Sequence, residues 1–189
     1  RQKIEREASF FGAMDGASRG RIITRAADLI MERLDELAEL ETLDVRKPIT
    51  ETKNIDIPVS ASYLHWYGEV CLDNLGEQIP LPTGAQVDFS LRQPYGVVAG
   101  IAPWNFPLFL GILKIGPALA MGNSVVIKPA SITSMTTLAL GEIFNEAGLP
   151  PGALNVISGP GSEVGEALCT NPQVQKVFDI VKAVPLSEI

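Results

Sequence analysis

Hydrophobic positions along this chain follow two different periods. Early on, Ile22, Ala26, Leu29, Ile30, Leu34, Leu37 and Leu40 recur at helical spacing, with Arg25, Asp28, Glu32, Asp35, Glu36 and Glu39 among them. Such a stripe predicts a long helix that buries one face against a core. A partner-binding coiled coil would need several sustained heptads. A Phe10-Phe11-Gly12 break sets off a shorter helix at the start. Pro48 and the polar TETKN run mark a connection. A further helix is expected after Asp56, a candidate N-cap. Its Tyr63, Leu64, His65, Trp66 and Tyr67 cluster predicts burial.

The pattern changes at Gly76. Ile79 and Leu81 flank Pro80, Pro82-Thr83-Gly84 supplies a turn, and Val87, Phe89 and Leu91 alternate with polar residues. This reads as a hairpin with one apolar face, and the proline in its first arm places it at an exposed edge. Packing of the hairpin on its own domain is the competing reading.

From Val97 onward the order is strand, helix, strand, helix, strand, helix, strand. Val97 to Ile101 is a short apolar run of the kind buried on both faces. Pro103 and Pro107 then hold a stiff loop, after which Leu108, Ile112, Ile115 and Leu119 share a helix face. Gly122-Asn123 ends that helix, and Ser124 to Ile127 is the second strand. Ser131 or Thr133 is the expected cap of a helix running to about Ala147, closed by Gly148. Leu154 to Ile157, a helix from Glu163 to Cys169 and a strand from Val174 to Phe178 complete the series. Repeated strand–helix–strand units predict an α/β fold: a Rossmann-like parallel sheet with flanking helices, preceded by an N-terminal helical segment and a β-hairpin arm. Ligands of such sheets bind beyond the carboxyl ends of the strands, where Asn105 and Lys128 both sit.

Composition narrows the function classes. With 189 residues and 46% hydrophobic content, the chain can bury one sizeable core. A formal net charge of -7 and a pI near 4.8 argue against a nucleic-acid surface. They leave room for an anionic cofactor, which needs only a lysine and a few backbone amides. The most apolar stretch, Phe106 to Met121, is interrupted by Lys114 and Gly116-Pro117 and is short for a membrane span. The chain opens on Arg1 without Met, as expected of an incomplete or processed start, and shows no signal-peptide pattern. A soluble, cytoplasmic protein is the expectation. Cys71 and Cys169 are expected as small buried thiols, not as a disulfide or as nucleophiles. His65 is the sole histidine, so a Ser-His-Asp triad or a multi-histidine metal site has no material. It reads as a packed or surface residue.

Several motifs are more specific. The PWNFP loop at 103–107, the 23-residue step from Asn105 to Lys128, the KPA at 128–130 and the GPGSEVG at 159–165 follow in order. With that spacing the chain resembles the aldehyde dehydrogenase superfamily, continuously from near residue 1 to about Phe178. The resemblance implies oxidation of an aldehyde to a carboxylic acid through a cysteine thioester, with NAD or NADP as cofactor. It divides the chain into four parts. Residues 1–75 are the helical part of the cofactor-binding domain, and 76–93 are a hairpin oligomerisation arm. Residues 94–178 are an incomplete dinucleotide-binding core, and 179–189 are a tail outside the family pattern. The arm implies a homo-oligomer in the intact enzyme.

By the same resemblance, Asn105 holds the aldehyde oxygen as it becomes an oxyanion. A side-chain amide donates a hydrogen bond without ionising, and such a donor is worth about 3 kcal/mol. From spacing alone, Asn105 is a turn residue between two prolines. Ala102, Pro103, Trp104, Lys128, Ala130, Ser131, Gly161 and Gly165 are implied to line the cofactor cleft. On residue type alone, Trp104 is a core side chain and Lys128 a solvated lysine. The family uses this lysine for the adenosine-side ribose or phosphate. Ser131 departs from the glutamate that many NAD-preferring members carry. That carboxylate accepts from the ribose 2'-hydroxyl and would repel a 2'-phosphate, so serine opens NADP alongside NAD; a plain helix cap is the alternative. Gly159, Gly161 and Gly165 do not form a G-x-G-x-x-G fingerprint, and tight turns or close packing are their alternative use.

After Phe178 the sequence DIVKAVPLSEI departs from the family. Family members continue there with a glycine- and serine-bearing turn, a glutamate in an ELGGK-like motif, and the cysteine nucleophile. The chain alone is therefore expected to lack dehydrogenase activity, meeting an aldehyde only in the intact enzyme. A non-catalytic dinucleotide-binding or subunit-interaction module is the alternative. Strands left without partners would expose sheet edges and favour association.

Overall fold

The computed structural model describes residues 11–73, 76–82 and 86–179. Helix α1 (Gly16–Glu32) begins where Asp15 accepts the Ser18 amide at 2.8 Å. The break ahead of it falls at Met14-Asp15 instead of Phe10-Gly12. Asp15 carries the capping carboxylate, and Phe11 is fully buried in the preceding turn. Most of the shorter first helix lies outside the described residues. The single long helix expected over 22–40 is two helices. Arg33 leaves helical geometry (φ −103°, ψ 23°), and α2 (Leu34–Val45) follows with Leu37, Ala38 and Glu41 buried. Two hydrogen bonds from Arg33 to Glu36, at 2.8 and 2.6 Å, hold this junction on its exposed side.

Arg46, in the left-handed region at φ 63°, ends α2. The chain re-enters helix directly after Pro48. A turn at Ile49–Glu51, a π-helical turn at Thr52–Asp56 and α3 (Ile57–Val70) run on without a break. Asp56 is therefore internal to the helix (φ −61°, ψ −50°) and does not cap it; its buried carboxylate takes Lys47 instead, at 2.8 Å. The expected burial of the aromatic cluster holds only in part. Leu64 is buried, while Tyr63 and Trp66 are exposed, because Ile57, Ala61, Leu64 and Gly68 set the inner face. His65 lies on the surface, 3.1 Å from Asp28. Helices α1 and α3 cross closely. A Cβ on Gly20 would stand 2.5 Å from the Gly68 carbonyl oxygen, and one on Gly68 would stand 2.5 Å from Thr24 Oγ1.

The hairpin is short. β1 (Gln78–Ile79) and β2 (Asp88–Phe89) pair antiparallel, Gln78 with Phe89 and Ile79 with Asp88. Thr83 and Gly84 of its turn lie outside the described residues. Ile79, Val87, Phe89 and Leu91 are all exposed, so this apolar face is not packed on its own domain.

The remainder is the parallel sheet. β3 (Val97–Ile101), α4 (Pro107–Ala120), β4 (Ser124–Lys128), α5 (Met135–Glu146) and β5 (Leu154–Val156) form two successive crossover units. Neither expected cap serves α5. Ser131 Oγ donates to the Gly159 carbonyl at 2.8 Å, Thr133 Oγ1 is buried with no hydrogen-bond partner among the described residues, and the Met135 amide is taken by Asp44 of α2 at 2.8 Å. A π-helical turn (Gly161–Gly165) and α6 (Glu166–Thr170) stand in place of one helix from Glu163 to Cys169. Cys169 is exposed there, contrary to expectation, because only Leu168 of α6 turns inward; Cys71 is buried, and both thiols are free.

β6 (Lys176–Asp179) does not join the edge at β5. The strand order is β5-β4-β3-β6, with all neighbours parallel. One hydrophobic cluster extends from α1 through α3 and α4 to β3, β4 and α5, including Ile23, Leu64, Ile112, Val125 and Leu140. Among the described residues no helix is long and apolar enough to cross a membrane.

Candidate functional site

The strand order reverses at β3: β4 and β5 lie to one side of it and β6 to the other. Such a switch point leaves a crevice beyond the carboxyl ends of the strands. Three loops meet there and are tied together by hydrogen bonds. The Ala102 amide donates to the Lys128 carbonyl at 2.9 Å, joining the loop after β3 to the carboxyl end of β4. The Ile157 amide donates to the Ile127 carbonyl of β4 at 2.9 Å, and Ser131 Oγ to the Gly159 carbonyl at 2.8 Å, the latter joining the loops after β4 and β5. Gly159 permits this path because its φ of 151° lies where side chains are strained.

Around this frame the expected site residues divide by exposure. Ala102 is buried, Pro103 and Ala130 are half-buried, and Trp104, Asn105, Ser131 and Gly161 are exposed. Gly165 is buried at the start of α6. Trp104 is 58% exposed, so it is not a core side chain; it borders a groove with Ile132, Thr133, Asp44 and Arg46. Lys128 is 4% exposed, which rules out a solvated surface lysine. Among the described residues its ammonium makes one hydrogen bond, to the Pro129 carbonyl at 3.1 Å. An ammonium has three donors. The remaining two suit the hydroxyls or phosphate oxygens of a dinucleotide, so the residues present fit such a group.

Acidic side chains from α2 reach the helices that follow these loops. The Glu41 carboxylate accepts from Thr136 Oγ1 at 2.6 Å and faces the Leu108 amide in the first turn of α4. Asp44 accepts the Met135 amide at the start of α5. Each carboxylate complements the positive end of a helix, and a pyrophosphate placed there would meet like charge. Burial pushes Glu41 up to about 7, the Thr136 hydrogen bond opposes this, and the nearby Asp56 charge reinforces it. Asp56 binds Lys47 at 2.8 Å, and the Lys47 ammonium stands 3.1 Å from the Phe106 ring centroid. Glu41, Asp44, Lys47 and Asp56 are absent from the sequence-based site. A signal for Glu41 existed: it follows Leu37 by four residues and so shares that helix face.

Neither cysteine lies in these loops. Cys71 closes α3 beside α1, its thiol 3.3 Å from the Tyr67 carbonyl and its pKa pushed up by burial. Cys169 is on α6. No group of three or more potential metal ligands occurs among the described residues.

Comparison with known proteins agrees with this geometry. Residues 3–178 match the Aldehyde dehydrogenase family. PnpE in complex with nicotinamide adenine dinucleotide is 39% identical, with a TM-score of 0.89, over 93% of this chain and 36% of that one. An NADP-dependent enzyme from E. coli is 38% identical at a TM-score of 0.89, again over 93% and 36%. The NAD-dependent aldehyde dehydrogenase from Sinorhizobium meliloti is 35% identical at 0.86, over 88% and 33%. The chain spans about a third of the length of these structures. Ordered motifs, parallel sheet and matched span converge: the chain belongs to the aldehyde dehydrogenase family, whose amino-terminal portion it carries.

Proposed function

We propose that this chain is the dinucleotide-binding part of an NAD(P)-dependent aldehyde dehydrogenase, and that Asn105 is the oxyanion donor of the intact enzyme. The observation that carries the reading is the tie between the loop bearing Asn105 and the buried Lys128 at the switch point of the sheet. A bound nicotinamide dinucleotide would supply the hydride acceptor. Lys128 would hold its adenosine-side ribose or phosphate, with Ala102, Pro103, Trp104, Ala130, Gly161 and Gly165 around it. Asn105 would donate to the aldehyde oxygen as negative charge grows, needing no proton transfer of its own. Since neither cysteine stands at the site, the chain by itself is expected not to turn over aldehydes.

An NAD complex and an NADP-dependent enzyme among the similar structures support a dinucleotide without choosing between the two. The uncharged Ser131 supports acceptance of either. The exposed apolar face of the hairpin supports the reading that the intact enzyme is a homo-oligomer. Titration of the purified chain with NADH and with NADPH, followed by their fluorescence, tests the proposal. Saturable binding that Lys128→Met weakens about tenfold or more is expected. A folded chain that binds neither would overturn it.

A further inference from the structure

The loop carrying Trp104 and Asn105 is attached to the helical layer at a point outside the sheet. Phe106 ends the loop outside helical geometry (φ −146°, ψ 65°), and Pro107 opens α4. The Phe106 ring is covered by the ammonium of Lys47, 3.1 Å from its centroid. Lys47 belongs to the connection between α2 and the Ile49–Glu51 turn, far from the loop in sequence. Its ammonium is in turn fixed by Asp56 at 2.8 Å and, more loosely, by Glu51 at 3.6 Å. Asp56 is 2% exposed, and one of its carboxylate oxygens has no hydrogen-bond partner among the described residues. A buried carboxylate in that state depends on its ammonium partner.

We propose that Lys47 is a positioning residue for the 102–107 loop: anchored by Asp56, its ammonium clamps the Phe106 ring and fixes the backbone from which Trp104 and Asn105 extend. The assignment rests on the oxyanion role of Asn105 for its functional meaning, but the clamp itself is a separate physical claim. The loop is rigid at both prolines yet exposed between them, so its orientation depends on what holds its last residue. A cation over a ring face supplies a directional hold that an apolar contact of equal size does not. Arginine can reproduce the hold, because its guanidinium also stacks on rings and pairs with carboxylates. Methionine, of similar length and without charge, cannot.

Trp104 is the reporter. In a Trp66→Phe background of the full chain it is the remaining tryptophan. Lys47→Met should lower the steady-state anisotropy of Trp104 and raise its acrylamide quenching about twofold, while far-UV circular dichroism stays unchanged. Lys47→Arg should restore both readings. Phe106→Leu should reproduce the Lys47→Met change, and the double variant should go no further than either single one. Unchanged Trp104 readings in a folded Lys47→Met chain, failure of arginine to restore them, or additive effects in the double variant would each overturn the clamp. If Lys47→Met loses its helical signal, Phe106→Leu alone decides: a folded chain with unaltered Trp104 readings sinks the proposal. Failure of the Asn105 reading, seen as unaltered turnover on its removal in an active enzyme, leaves these spectroscopic outcomes where they stand.

Discussion

Asn105 lies in an exposed loop between Pro103 and Pro107, and the oxyanion role proposed for it depends on placement more than on chemical type. Joining a family catalytic half after Phe178 should give aldehyde oxidation that Asn105→Ala lowers by about 100-fold or more; unchanged turnover removes Asn105 from the mechanism. In the same fusion Ser131→Glu should shift use from NADP towards NAD, since a carboxylate repels a 2'-phosphate. Equal use of both cofactors before and after refutes that charge argument. Glu41 supplies a pH test. Its ordinary value is 4.5 and burial raises it to about 7, so within that window the folded chain holds a proton that the unfolded chain has released. Stability from this group is complete below the unfolded value and is lost as pH rises through the folded one. Glu41→Gln should therefore gain in thermal midpoint relative to the parent between about pH 5 and about pH 8. A constant difference across that range discounts Glu41. The places of Asn105 after β3 and of Lys128 at the end of β4 were legible in the sequence, because an apolar run closed by proline marks a strand's carboxyl end; the roles proposed for them came from the family resemblance alone. Glu41, Lys47 and Asp56 were not, because a charged residue in a helical stretch reads as solvated until its neighbours in space are known.

At the scale of elements, periodicity identified most helices and strands and missed what periodicity does not encode. The apolar stripe of α1 and α2 continues in phase across Arg33, so nothing in its spacing announced two helices. Asp56 has the right type for a cap, but helix had already begun at Ile49, and the residue was drawn into a buried ion pair instead. The expected serine and threonine caps of α5 failed for the complementary reason: a carboxylate from another helix took the position. The crossing of α1 and α3 gives a sharp test of packing. A methyl group at Gly20 would meet the Gly68 carbonyl oxygen at 2.5 Å, and helix backbones cannot yield as side-chain tips do. Gly20→Ala should cost about 1–3 kcal/mol in chemical denaturation; a variant as stable as the parent would show that the helices slide apart freely.

For the whole molecule, the sequence revealed the parallel class but not the strand order. Apolar runs tell that strands are buried, not which neighbours they choose, and β6 beside β3 creates the crevice. The hairpin lies outside this body with its apolar residues exposed. Replacing Val87, Phe89 and Leu91 together by serine should lower the mass of the chain in light scattering, if that face mediates association. An identical mass assigns assembly to another surface.

The placement of β6 also sets an order of events in folding. Val97 accepts from Gln175 while Gly96 and Ala102 bond towards β4, so alternate residues of β3 face opposite neighbours. The amides of Val98 and Gly100 can be protected once the adjacent crossover unit has formed. Those of Ala99 and Ile101 must wait for a segment more than seventy residues downstream, a contact of high loop-closure cost. During synthesis, the mouth of the cleft is therefore completed only by a strand that leaves the ribosome after β3, β4 and β5. Pulse-labelled hydrogen exchange during refolding should show the amides of Ala99 and Ile101 protected after those of Val98 and Gly100, and simultaneous protection would mean that the central strand acquires both neighbours in one step.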